Sequence, residues 1–377
     1  MRKPLEGIRV VELARVLAGP WCGQLLADLG AEVVKVERPG AGDDTREWGP
    51  PFVTGPGGEA LGAAYYHSCN RGKRSVAIDI ASVDGQAEVR ALLADADVVI
   101  ENYKVGGLVK YGLDPTRLRA DFPRLVVCSI TGFGQTGPYA HRAGYDYIVQ
   151  AMSGFMSLTG EPDGEPQKAG IAYADIFTGM YSAVAILAAL RRRDVSGDDK
   201  GGGAHIDMAL LDSQVAVLAN QAANYLASGV APKRMGNAHA NVVPYQVFAT
   251  ADGQLVIAVG NDGQYRRLCA ILGVPEWADD ARFANNAARL ANRAELIPLL
   301  AAKIAAWDAQ PLSLALEAEG VPAGPINDLA QVFADPQVQA RGMRFRPEGA
   351  SIDGVASPIV IDGERMVARA GAPPLAQ

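Results

Sequence analysis

A chain of 377 residues, 49% hydrophobic and 20% charged, carries enough apolar mass for two globular domains. No uninterrupted apolar run reaches the roughly 18 residues of a membrane span, and the opening MRKPLEGIRVVELA breaks its apolar residues with Glu6, Arg9 and Glu12, so neither a membrane anchor nor a secretory leader is expected and a cytoplasmic location is. A net charge of −7 disfavours nucleic acid as the main partner, and four scattered cysteines and four scattered histidines, without CxxC, HxxxH or HExxH spacing, disfavour a disulfide framework and a metal site.

In chain order, GIRVVEL (7–13) predicts a strand, GPWCGQLLADLGA (19–31) a helix and EVVKVERP (32–39) a second strand, together a βαβ unit. SVAIDI, the helical DGQAEVRALLADA and the strands DVVIENY and LVVCSI continue the alternation, so the N-terminal half reads as a doubly wound parallel sheet. Two long helices follow, about 175–193 and 208–228, separated by the linker DVSGDDKGGG. YQVFATADGQLVIAVG (245–260) predicts a hairpin turning at Ala251-Asp252-Gly253, the start of a smaller α+β domain with helices through about 264–318. The Gly/Pro-rich GVPAGPIN (320–327) then crosses back, and short strands such as SPIVIDG lie in the tail. The expected organisation is 1–200 as the N-terminal part of a large domain, 225–320 as the small domain and 325–377 as a segment returning to the large one.

Several stretches carry residues suited to chemistry. In SITGFGQTGPY, Gly132, Gly134 and Gly137 show the GxGxxG spacing of dinucleotide-binding loops after a strand, but Pro138 and the polar YAHRAGYD replace the helix such a fingerprint opens, which disfavours a nicotinamide or flavin site. The loop ARVLAGP (14–20) leaves the first strand at the sheet edge where ligands of open α/β sheets bind. Glu37-Arg38 at the end of the second strand suits either a ribose or a phosphorylated ribose, or forms a plain ion pair. Arg71, Lys73 and Arg74 in NRGKRS form either a phosphate clamp or solvated loop charge, and Lys104 and Lys110 add cations at another strand end. Asp175, immediately before a long apolar helix, is either an N-cap or a nucleophilic carboxylate where free N–H groups stabilise an anion.

LEGIRVVEL, LAGPWCGQLLADLGAEVVKVERPGAGDDTR, NRGKRSVAID, VVIENY, SITGFGQTGP, YADIFTGMY, IDMALLDSQ, RMGNAHANVVPYQVF and GVPAGPIN, in this order, resemble the family III CoA-transferases, which include formyl-CoA transferase, the carnitine CoA-transferases and the methylacyl-CoA racemases. The resemblance implies a large Rossmann-like domain plus a smaller α+β domain in an interlocked-ring homodimer, with residues 194–230 and 318–330 as crossing segments. It implies coenzyme A and acyl-CoA as substrates, with no tightly bound cofactor. Asp175 matches the catalytic aspartate, which forms an anhydride with the acyl group and then an aspartyl-CoA thioester. Val16, Leu17 and Ala18 match the loop along CoA, and Arg38 the arginine at its adenosine end. Ile78, Asp79, Ile80 and Ala81, then Asn102, Tyr103 and Lys104, and Lys110 match further CoA contacts, while Thr131, Gly132 and Phe133 fall beside the pantetheine arm.

Three positions depart from particular relatives. Thr131 replaces a lysine of formyl-CoA transferase, which disfavours formate and oxalate. His239 and Asn241, in the covering loop GNAHANVVPY, are candidates to meet the acceptor acid. Tyr145, grouped with the CoA-lining residues, stands where racemases place a histidine, so an epimerase lacks one of its two acid/base groups. The resemblance leaves donor and acceptor open, with dicarboxylates such as succinate favoured.

Overall fold

The computed structural model describes residues 2–196 and 202–376, which fall into two compact units. Unit 1 gathers Met1–Met156, Lys168–Val230 and Pro336–Gln377; unit 2 gathers Ser157–Gln167 and Ala231–Asp335. Ser157–Gln167 therefore joins the second unit, and the segment returning to unit 1 begins at Pro336 rather than at 325, a partition that sequence composition does not mark. Part of the linker read from the sequence, residues 197–201, lies outside the described residues.

Unit 1 begins with β1 (Arg9–Glu12), α1 (Ala18–Asp28) and β2 (Glu32–Glu37), followed by β3 (Lys73–Ala77), α2 (Val83–Ala94), β4 (Val98–Glu101) and β5 (Val126–Thr131). It continues through α3 (Asp146–Met152), α4 (Tyr173–Val195), β6 (Ala204–Ala209), α5 (Leu210–Ala216) and α6 (Ala219–Ser228). The six strands form one parallel sheet in the order β3-β2-β1-β4-β5-β6, with registers such as Val10 opposite Val33 and Val98, and Val126 opposite Ala204. Both faces are covered, as a parallel sheet requires. Val10, Val98, Ile100 and Cys128 pack with Cys22 and Leu26 of α1 and Ile186 of α4, while Val11, Val99 and Val127 face Val89 and Leu93 of α2. Strand order reverses direction between β1 and β4, so the loops leaving their carboxyl ends diverge and open a crevice.

The element read as a helix over 208–228 starts later, because AHIDMA is β6. His205 and Asp207 alternate there with Ile206 and Met208, the period of an edge strand, and the apolar ALLDSQVAVLAN that follows hides the change. By length and composition α4 could cross a bilayer, although Thr178, Gly179 and Ser182 interrupt its apolar run; its Ala174, Ile186 and Leu190 are buried in the core of unit 1.

Unit 2 is built on β7 (Tyr245–Ala249), β8 (Gln254–Ala258) and β9 (Ala323–Pro325), antiparallel in the order β9-β8-β7. The hairpin closes where Thr250 donates to the Gly253 carbonyl. Helices Asp262–Ile271, Arg293–Ile304 and Ala309–Ala318 supply Leu268, Leu300 and Leu312 to a separate core around Leu255 and Ile257.

Candidate active site

The crevice at the reversal point is a cleft of about 430 Å3 within unit 1. Its walls are the loop after β1 (Arg15 to Ala18), the loop after β4 (Asn102 to Val105, with Lys110 and Tyr111), and the end of β5 (Ile130 to Gly132) facing Arg142 to Tyr145. Asp175 and Leu210, with Gly107 and Ala140, complete the lining. Four cations, Arg15, Lys104, Lys110 and Arg142, surround it, a charge pattern suited to an anionic ligand. Arg15 is already paired with Asp44 at 2.8 Å, whereas the Arg142 guanidinium lies 4.6 Å from the centre of the Tyr139 ring and 5.4 Å from that of Phe133.

Asp175 is not the N-cap of α4 but its third residue; Ala172 occupies the cap position and makes no side-chain bond. The free amides of that first turn go instead to Asp146, whose Oδ1 accepts from Ala174 N at 2.8 Å and Asp175 N at 3.4 Å. The Asp175 carboxylate is thereby released from capping and lines the cleft. Burial, reinforced by the negative charge of Asp146, pushes its pKa from 3.8 to about 7. A half-ionised, poorly solvated carboxylate is a stronger nucleophile than a surface aspartate, and acylation removes the charge that its surroundings disfavour.

The GxGxxG glycines have a packing explanation. A Cβ on Gly132 would lie 2.5 Å from the Gly144 Cα, so two backbones touch at this wall of the cleft. Gly134 N donates to Thr131 Oγ1 and Gln135 N to Asp207, so these amides are engaged within the protein, and the next helix begins only at Asp146.

Of the residues singled out in the sequence, Val16, Leu17, Ala18, Asn102, Tyr103, Lys104, Lys110, Thr131, Gly132, Tyr145 and Asp175 line this cleft. Phe133 is buried behind it, its ring edge-on to Tyr139. Arg38 is exposed at the end of β2, and Ile78 to Ala81 follow β3, where Ile78 N donates to the Glu37 carbonyl; these form a neighbouring stretch of the same edge outside the cleft. His239 and Asn241 belong to unit 2: Asn241 N donates to His239 Nδ1, and Arg293 donates to the His239 carbonyl.

Two expectations about charge are corrected. Glu37 pairs with Arg46 at 2.7 Å, not with Arg38, and is buried, so it offers nothing to a ribose. Arg71 and Lys73 form neither a phosphate clamp nor solvated charge: Arg71 pairs with Asp28 at 2.6 Å and Lys73 with Glu12 at 2.8 Å, all four buried. Only Arg74 of that group is exposed. Sequence reasoning passed over Arg142 and Asp146; the GYDYI motif marked their neighbourhood, but nothing in it indicated a cap donated to another helix.

The model of CoA-transferase family III matches residues 5–377. A succinate–glutarate CoA-transferase of Agrobacterium fabrum is 61% identical over 363 residues, covering 96% of this chain and 90% of its own. The succinyl-CoA:glutarate CoA-transferase of Mus musculus is 47% identical, over 90% of this chain and 76% of its own. The crystal structure of a CAIB/BAIF family protein from Brucella suis aligns with a TM-score of 0.88 at 56% identity, over 100% of this chain and 97% of that one. A reversal-point cleft ringed by cations, a carboxylate free of capping duty and this likeness along the whole chain agree: the chain belongs to CoA-transferase family III and is an enzyme of that class.

Proposed function

We propose that the enzyme moves CoA from succinyl-CoA to a dicarboxylic acid such as glutarate, with Asp175 as the group acylated in turn. The observation that carries the proposal is the uncapped, half-buried Asp175 in a cation-lined cleft, and the names of the relatives supply the substrates. The ionised carboxylate attacks the thioester carbonyl, forming an acyl anhydride and releasing CoA thiolate. The thiolate attacks the aspartyl carbonyl of the anhydride, giving an aspartyl-CoA thioester and free succinate. The acceptor carboxylate then attacks this thioester, releasing the thiolate again, and the thiolate attacks the acceptor carbonyl to yield the new acyl-CoA and regenerate Asp175. No cofactor is needed to balance these steps. Arg38 and Ile78 to Ala81, on the same sheet edge as the cleft, would take the nucleotide end of CoA, and His239 and Asn241 the acceptor.

Epimerisation finds little support, because among the described residues no histidine lines the cleft. An interlocked homodimer is part of the reading, supported by the exposed apolar side chains Tyr181 and Val184 on α4 and Leu226 and Val230 at 80% and 70% exposure. Light scattering at micromolar concentration should give twice the chain mass. The central test is Asp175→Ala, expected to lower CoA exchange by roughly a thousandfold, at least about 4 kcal/mol of barrier. Hydroxylamine after incubation with succinyl-CoA should leave a hydroxamate on Asp175 in peptide mass spectra; full activity of Asp175→Ala would exclude the mechanism.

A further inference from the structure

Val16, in the wall of the cleft, has φ = 71°, a left-handed conformation that a β-branched residue adopts only when its surroundings impose it. The restraints are identifiable. Lys35 Nζ donates to the Ala14 carbonyl at 2.8 Å. Asn102 brackets the next residue, its Oδ1 accepting from Arg15 N at 2.9 Å and its Nδ2 donating to the Arg15 carbonyl at 2.7 Å. The Asp43 carboxylate accepts from Val16 N at 3.2 and 3.3 Å. Asp43 is itself fixed by Lys35, 2.9 Å away, and both side chains are fully buried. Side chains from three other segments thus hold the backbone polar groups of this turn.

The turn leads straight into α1, and α1 meets the helix of Asp175 there. A Cβ on Gly179, one helical turn after Asp175, would lie 2.7 Å from the Ala18 carbonyl oxygen. The first turn of α1 and the helix that carries Asp175 are therefore in close backbone contact one turn beyond Asp175.

We infer that Asp43, backed by Lys35, and Asn102 are positioning residues that hold Val16 in its left-handed turn, so that the Ala14–Leu17 backbone meets the acyl-CoA in a fixed relation to Asp175. The inference rests on the cleft being the acyl-transfer site. Without these restraints the turn relaxes toward right-handed φ, and the loop moves relative to the reacting carbonyl, a displacement that acts on the chemical step more than on ground-state binding.

The test is a double-mutant cycle with succinyl-CoA and glutarate, run where every variant retains the circular dichroism of the folded protein. Asp43→Asn keeps the shape but loses the charge that pairs with Lys35, and should lower kcat by about 10 to 100-fold with KM for succinyl-CoA changed less than about threefold. Glycine adopts φ = 71° without strain, so in the Val16→Gly background the same change should lower kcat less than about threefold. Asn102→Ala, at a half-exposed site, repeats the kcat comparison between the two backgrounds if Asp43→Asn does not fold, its KM being set aside because Asn102 also lines the cleft. An equal drop in both backgrounds, or a loss confined to KM, would overturn the inference. The acyl-transfer reading fails separately, by activity of Asp175→Ala.

Discussion

Asp175→Asn should make the protein more stable while silencing it, and the gain should depend on pH in a defined direction. Burial and Asp146 raise the folded-state pKa of Asp175 from 3.8 to about 7. For an acid whose folded pKa is raised, the ionised form is disfavoured in the folded state. The penalty is absent below pH 4, where the group is protonated in both states, grows as pH rises from 4 to 7, and is constant above. At about 1.4 kcal/mol per pH unit the full difference is at most about 4 kcal/mol. Access to solvent through the cleft and loss of a favourable first-turn charge reduce the expected gain to about 1 to 2 kcal/mol. The assay is the guanidinium unfolding midpoint of both proteins at one concentration, from pH 4 to pH 8.5. The curves should coincide at the acid end and separate through pH 7, with CoA exchange lost throughout. A variant that keeps its activity and loses about 0.5 to 2 kcal/mol at pH 8.5 would show that Asp175 serves the helix end, and would refute the assignment.

Exchange in the wild type should rise with pH as Asp175 ionises near pH 7, and Asp146→Asn, which removes the like charge but keeps an acceptor for Ala174 N, should move that rise to lower pH without abolishing it, because burial is the larger cause. Lys73→Met should cost about 1 to 3 kcal/mol of stability, because buried Glu12 loses Lys73 but keeps Lys35 at 2.9 Å, with CoA affinity unchanged in the folded fraction. Arg38→Ala should do the reverse, weakening acyl-CoA binding about 10 to 100-fold by titration calorimetry and leaving the melting temperature unchanged.

The parallel sheet and the cleft loops were legible because β1, β2, β4 and β5 each carry a short apolar run followed by a loop, and the alternation with helices fixes which edge those loops share. The sixth strand was not, since an edge strand with polar residues at every second position borders a helix without any turn residue. The buried charges were unreadable for another reason. Lys73 and Glu12 are 61 positions apart and Arg71 and Asp28 are 43 apart, so only the register of β1, β2 and β3 brings such partners together, and a cluster such as NRGKRS looks alike whether its cations face water or carboxylates. Asp175 could be found by its place near a helix start, but its freedom from capping depends on Asp146, which sits 29 residues earlier on a different helix.

The contact between Gly132 and Gly144 limits how this enzyme can be redesigned. Where two main chains touch, an acyl group bound as proposed would meet peptide planes, and no substitution at either glycine can reshape that wall without separating the strand end from the opposing loop. On the proposed reading, selectivity among acids would be adjusted at the flanking side chains, Thr131 on one side and Arg142 and Tyr145 on the other. A library confined to those three positions would sample most of the substrate range this wall permits, whereas randomising the glycines would return chiefly inactive protein.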